Sequence, residues 1–232
     1  MKRFEGTISR DYEFVPQSVP KYYELQDLLA RRIASQYAAP IVVDIGSGTG
    51  ITTAAILSRS PNAVVKGVDS ESTMLDQARS RLRPELATGR VELHHCDALE
   101  FLSSQSDASA DVVASSYTFH NCFRTYRAQM EVQIVRILKP GGMFINNDKY
   151  AADDRDEYVR ELAEQIIRYD VLRDVGREDL RQIWIRHEIE DQIPERIMWT
   201  LESLEALRLA GFVGASLIER IGQYAVMTAF KP

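Results

Sequence analysis

Cysteine is scarce in this chain. Of 232 residues only Cys96 and Cys122 are cysteines, with no C-x-x-C pair and no metal-ligand spacing. That excludes a disulfide-stapled scaffold and a cysteine-rich zinc module; beside expected strand ends, both read as reduced thiols. Long apolar runs are also missing. No stretch approaches the ~20 apolar residues a membrane span requires, and MKRFEGTISRDYEF has no apolar core that could act as a secretory signal. The compartment expected is the cytoplasm. Nor is there an excess of base. Lys and Arg number 28 against 34 Asp and Glu, a formal charge of −6, so no global field attracts nucleic acid or a membrane surface. Internal repeats are absent.

What remains has the balance of a globular protein, 45% hydrophobic and 27% charged. Its length suits one domain, expected over residues 1–232. Short Val- and Ile-rich runs fall at Ile41–Ile45, Ala63–Val68, Val91–His95, Asp111–Ser115 and Met143–Asn147. Between them apolar residues recur three or four apart, as in Met74, Ala78 and Leu82, or Met130, Ile134 and Ile137. Alternating strands and helices predict an α/β fold, a parallel sheet covered on both faces. A helix near Lys21–Tyr37 precedes the sheet, within an arm over 1–38. After the fifth strand, 151–198 reads as a helical cover. Tyr158, Leu162, Ile166 and Tyr169 form one stripe in it, and Leu180, Ile183, Trp184 and His187 another. A helix with Thr200 as its N-cap and Gly211 as its stop follows. Val213–Glu219 and Gln223–Phe230, around a short turn, must pair antiparallel.

IVVDIGSGTG, Ile41–Gly50, carries the chemistry. Gly46, Gly48 and Gly50 lie between the first strand and the helix starting near Ile51, where glycine permits a tight turn and close backbone approach. A dinucleotide fingerprint would want a third glycine where Ile51 stands. Asp44, two residues before Gly46, would repel a pyrophosphate and suits a ligand bearing a positive amine or sulfonium. Asp69, at the carboxyl end of the second strand, can accept both hydroxyls of a ribose. Asp97, after the third strand, can take the exocyclic amine of adenine or cap a short helix. Sugar, purine and cationic amino acid together describe S-adenosylmethionine (SAM).

The ordered set DIGSGTG, GVDS, CDAL, ADVVASSYTFHN and LKPGGMF resembles class I SAM-dependent methyltransferases over nearly the whole chain. That resemblance implies a Rossmann-like, mostly parallel seven-stranded sheet ordered 3-2-1-4-5-7-6. The implied SAM contacts are Asp44, Gly46, Ser47, Gly48, Gly50, Asp69, Ser70, Met74, Asp97, Ala98 and Ser116, with Tyr22 from the arm. It also places Tyr117 near the methionine part and His120 near the acceptor.

Candidate catalytic residues are His120, Tyr117 and Asn146. A histidine there could take a proton from an attacking hydroxyl or amine, or could simply bond a loop carbonyl. Asn146 and Asn147 end the fifth strand, shaping a polar pocket or bonding neighbouring loops. No metal is expected: His94, His95 and Cys96 alternate across a strand, so only two could share a face. The tyrosine-rich DYEFVPQSVPKYYEL could lay Tyr12, Tyr22 and Tyr23 over the cleft, where aromatic faces favour a sulfonium. SVPKYYEL resembles the start of carboxy-SAM synthases, although alignment on Ala210-Gly211-Phe212 puts Ala206 where those enzymes use an arginine for the added carboxylate.

The function expected is methyl transfer from SAM to a small molecule, releasing S-adenosylhomocysteine (SAH). Two alternatives stand beside it: cyclisation of SAM itself to azetidine-2-carboxylate plus methylthioadenosine, and SAM binding without turnover. The expected partners are a small-molecule substrate and, at most, a second copy in a homodimer; neither nucleic acid nor membrane is favoured.

Overall fold

The computed structural model describes residues 6–232, so the first five residues of the arm lie outside the described residues. Seven strands form one sheet: β1 Ile41–Ile45, β2 Val64–Asp69, β3 Val91–His95, β4 Ala110–Ser116, β5 Leu138–Lys149, β6 Val213–Ile221 and β7 Tyr224–Phe230. Their spatial order is β3-β2-β1-β4-β5-β7-β6. Neighbours from β3 to β5 pair parallel, whereas β7 runs antiparallel to both β5 and β6. Val42, Val43, Ile45, Val112, Val113 and Ala114 are all buried, because helices cover both faces of these central strands.

The helix Tyr22–Ala34 forms where Tyr22, Leu25, Leu29, Ala30 and Ile33 line one face, and it packs beside Ile51–Arg59 on one side of the sheet. Phe101, Leu102, Met130, Ile134, Ile137, Leu207 and Phe212 build the core on the other side. Because β4 and β1 are adjacent, the loops leaving their carboxyl ends face one crevice, the place where open α/β sheets bind ligands.

Three local expectations change. Thr200 is not an N-cap: Trp199 precedes the helix Thr200–Leu209, and the Thr200 hydroxyl donates to the carbonyl of Ala151. The Leu201 amide is instead received by Asp153, 48 residues earlier, a pairing that only the fold creates. The fifth strand, expected at Met143–Asn147, already begins at Leu138, so Gly141-Gly142 lies within it. Ala110 pairs Leu138 and the ladder resumes at Val112 with Met143, so the intervening residues bulge outward. In the cover, the helix Arg155–Arg168 buries Glu161 and Gln165, while Leu162 and Ile166 remain half-buried. Its inner face meets polar partners: Glu161 pairs with Arg220 at 3.1 Å, and Gln165 donates to the Ser18 carbonyl.

Arm and cover hold each other. Arg177 bonds Asp11 at 2.6 Å and lies over the Phe14 ring, while Tyr12 meets Trp184 edge-on. Among the described residues no helix is long and apolar enough to cross a membrane.

Candidate active site

A cavity of about 470 Å³ opens at the carboxyl ends of β1, β2 and β4. One wall is the glycine loop. Gly48 has φ +51°, and its N–H donates to Asp69 Oδ2 at 2.9 Å. A Cβ there would lie 3.3 Å from Met74 Cε and 4.0 Å from that same carboxylate oxygen, narrowing the space beside the acid. Asp69 Oδ1 accepts the Glu71 N–H at 2.8 Å. Burial pushes the Asp69 carboxyl above its usual range, against the opposing pull of these backbone donors. A ligand that donates hydroxyl hydrogens here would add to that pull.

Asp97 caps the helix Ala98–Ser104 through the Leu99 and Glu100 amides, and its Oδ1 also accepts from Tyr126 Oη at 2.7 Å. The Tyr126 phenol is pushed upward by burial first and by Asp97 second. Further along, Tyr117 adopts φ +53°, unusual for a residue with a bulky side chain, and turns its ring under the arm. Burial drives its phenol well above the ordinary value, helped by Tyr22 alongside. Ser116 Oγ and Ser47 Oγ are buried without a hydrogen-bond partner among the described residues. Orphaned polar atoms beside a polar-rimmed cavity fit a nucleoside with an amino-acid tail.

Of the residues singled out from the sequence, Tyr22, Gly46, Ser47, Gly48, Asp69, Ser70, Met74, Asp97, Ala98, Ser116 and Tyr117 line this cavity. Asp44 and Gly50 do not. Asp44 is wholly enclosed beneath the loop, between Gly67 and Ala114 of the flanking strands, with Oδ2 accepting from Thr53 at 2.6 Å. Burial first, then the Asp69 charge, raises its carboxyl to about 7, against the Thr53 hydrogen bond. Gly50 serves packing: a Cβ there would sit 2.9 Å from Leu82 and 3.2 Å from Ala78.

His120 and Asn146 also lie outside the wall. His120 is buried, its Nδ1 2.6 Å from Asp148 Oδ1, and Asp148 Oδ2 accepts the Phe119 N–H. Asn146 donates to Tyr150 Oη at 2.8 Å and, with Tyr150, borders a smaller cavity of about 80 Å³ that Ala206 also lines. Behind His120 the fold gathers His187 and Asp191 from the cover, three donors within 4.8 Å of one another. The cation beside Asp191 there is Lys149, with Nζ 3.5 Å from Asp191 and 2.8 Å from Glu188. No sequence spacing announces this cluster, because 67 positions separate His120 from His187.

The sequence reading missed Gln26, Thr52, Cys96, Cys122, Phe123, Tyr126 and Arg196 in the wall. Only the arm's helical spacing could have pointed to Gln26, which lies one turn beyond Tyr22 and accepts from Thr52 at 2.6 Å.

Sheet order and a glycine-walled cleft at this end define a Rossmann-like methyltransferase fold. Residues 42–142 match a family model described as a methyltransferase domain. Over 232 residues the chain is 28% identical to a carboxy-S-adenosyl-L-methionine synthase of Campylobacter fetus subsp. fetus, covering 98% of this chain and 93% of the relative. A demethylmenaquinone methyltransferase of Leptospira interrogans is 33% identical over 121 residues, 52% of this chain and 47% of its own. In fold, an O-methyltransferase family protein from Burkholderia thailandensis superposes with a TM-score of 0.70 at 18% identity, over 99% of this chain and 61% of that one. Residues 42–142 thus resemble a methyltransferase domain and the whole length resembles carboxy-SAM synthases, a kinship that implies S-adenosyl-L-methionine as cofactor or substrate.

Proposed function

We propose that the chain transfers the sulfonium methyl of SAM to a small molecule by in-line displacement, leaving SAH. The observation that carries this reading is the cleft itself. Its volume of about 470 Å³ lies toward the lower end of the usual range for small-ligand sites, roughly 300–1,000 Å³, so little space remains beside a nucleoside.

SAM supplies an activated methyl; the chain supplies position. Asp69 is placed to receive ribose hydroxyls, and Asp97 and Tyr126 border the position of the base. The faces of Tyr22 and Tyr117 suit a sulfonium. The arm, held by Asp11 and Tyr12 against the cover, excludes water. Alignment of two bound reactants contributes on the order of 7–11 kcal/mol in well-oriented cases. His120, bonded to Asp148 behind the wall, is a positioning residue for the turn after β4.

A second reading keeps the cleft and removes the acceptor. No imidazole stands in the cleft wall among the described residues, and the relatives named carboxy-SAM synthase are themselves named for a modified SAM. SAM's own amine would attack its Cγ and the Cγ–S bond would break. Methylthioadenosine would leave, and the amine would give up a proton as azetidine-2-carboxylate forms. Mass analysis of purified protein incubated with SAM, alone and then with cell extract, separates the two. SAH appearing only with extract supports transfer, methylthioadenosine from SAM alone supports cyclisation, and an unchanged SAM pool in both defeats each.

A further inference from the structure

Among the described residues the cleft wall holds three acids, Asp69, Glu71 and Asp97, and a single base, Arg196. Arg196 follows the cover's last helix, Glu178–Glu190, and is only 7% exposed. A guanidinium stays charged at any ordinary pH, and a buried charge normally faces a carboxylate. Among the described residues Arg196 makes no ion pair. Its Nη1 donates to the Glu190 carbonyl at 3.0 Å, its Nε is enclosed without an acceptor, and its Cζ lies 4.9 Å above the Phe123 ring. Among the described residues none of the wall's three acids forms an ion pair with it; Asp97 Oδ1 takes Tyr126 and two amides, and Asp69 takes the Gly48 and Glu71 amides.

The backbone around Arg196 is clamped as well. Its carbonyl accepts from Arg127 Nη1 at 3.0 Å, and the Glu195 carbonyl accepts the Arg124 N–H at 2.7 Å. Both donors belong to the helix Arg124–Ile137, whose positive end therefore adjoins the guanidinium. Stacked, fixed and unpaired, this side chain cannot turn away to water.

We propose that Arg196 anchors an anion subsite in the cleft and receives a carboxylate of the reacting molecules. The inference rests on the reading of the cleft as a SAM site. That carboxylate belongs either to the amino-acid tail of SAM or to a second small molecule, and binding measurements separate the two.

The test is calorimetric titration of wild-type protein, Arg196→Gln and Arg196→Lys with SAH, with decarboxylated SAH, and with benzoate added to SAH-loaded protein. Loss of a charged hydrogen bond corresponds to about a 10- to 100-fold weaker association. If the carboxylate is SAM's own, Arg196→Gln weakens SAH by that factor and leaves decarboxylated SAH unchanged. If it belongs to a second molecule, both nucleosides bind as before and benzoate binding is lost. In either case Arg196→Lys recovers part of the affinity. Unchanged binding of SAH and benzoate by Arg196→Gln overturns the proposal. Should the variants not fold, wild-type protein that binds both nucleosides equally and takes no benzoate overturns it too. Wild-type protein that binds neither nucleoside defeats the SAM reading instead; benzoate added to nucleoside-free protein, bound by the wild type and lost in Arg196→Gln, would still support the arginine.

Discussion

The Tyr22 ring lies flat on the Tyr117 ring, with centroids 5.0 Å apart and planes 9° from parallel. One residue comes from the arm and the other from the turn after β4, so the stack joins lid to sheet across the cleft. Residues in left-handed backbone stand at both sides, Lys21 at φ +50° and Tyr117 at φ +53°. Each such conformation costs on the order of 1–3 kcal/mol and persists only where its surroundings enforce it. Replacing Tyr22 with Leu keeps apolar bulk and removes the ring. SAH affinity should fall by about 3- to 10-fold, as expected for one aromatic contact, while Tyr22→Phe stays near wild type. Calorimetry decides; equal affinities for all three proteins would remove the arm from the binding site.

Asp69 has two jobs, holding the Gly48 amide and presenting its carboxylate to the cleft. Asp69→Ala should therefore weaken SAH by about 10- to 100-fold, the loss of charge-assisted hydrogen bonds. Asp44→Asn, placed beneath the loop, should change SAH affinity far less. Reversal of that ranking would move the ligand's contact from the wall to the buried acid.

Asp44 and Glu131 both have carboxyls raised to about 7, in each case chiefly by burial. Their folded values exceed the unfolded ones of 3.8 and 4.5, so the native state keeps protons that the unfolded chain has released. Stability is then greatest below about pH 4 for these two groups and declines as pH rises through 7. Within that window each group contributes a slope of up to ~1.4 kcal/mol per pH unit. Asp44→Asn and Glu131→Gln should each flatten the fall in melting temperature between pH 5 and pH 8. Melting curves parallel to wild type would show that neither group titrates there.

Lys149 anchors the cover to β5 through Glu188 and Asp191. Removing one partner of a buried pair strands the other, so Lys149→Met should destabilise the protein by about 3–5 kcal/mol in urea unfolding. Pairing it with Glu188→Leu should restore part of that loss. A double variant as unstable as the two single losses added together would mean that the ions act independently. The Glu188 carboxyl is held below its usual range by Lys149 against burial, so its contribution fades as pH falls.

Much of this molecule is legible in one dimension. Strand cores rich in Val and Ile, helical spacing between them and a short final turn lead to an α/β sheet with an antiparallel last pair, and the resemblance of the motifs to class I methyltransferases implies the order that the sheet shows. The glycine loop and Asp69 announce the crevice because strand ends and their first loops are local in sequence. Gly50 and Thr200 are harder, since what a missing or present side chain meets depends on Leu82 and Ala151, far along the chain. His120 is harder still. Its position after β4 suggests an open site, yet its imidazole turns toward Asp148 on the neighbouring strand.

By itself the sequence determined the alternating strand–helix layers and the antiparallel final pair, because periodicity and turn residues act over a few positions; the strand order came from the resemblance of its motifs to class I methyltransferases. Tertiary structure alone decided which polar groups face the cleft and which are enclosed behind it. It sank Asp44 between small neighbours, turned His120 to a buried carboxylate, and brought Arg196 into the wall with no ion pair among the described residues. Burial and ion pairing depend on three-dimensional neighbours, and those neighbours lie dozens of residues apart.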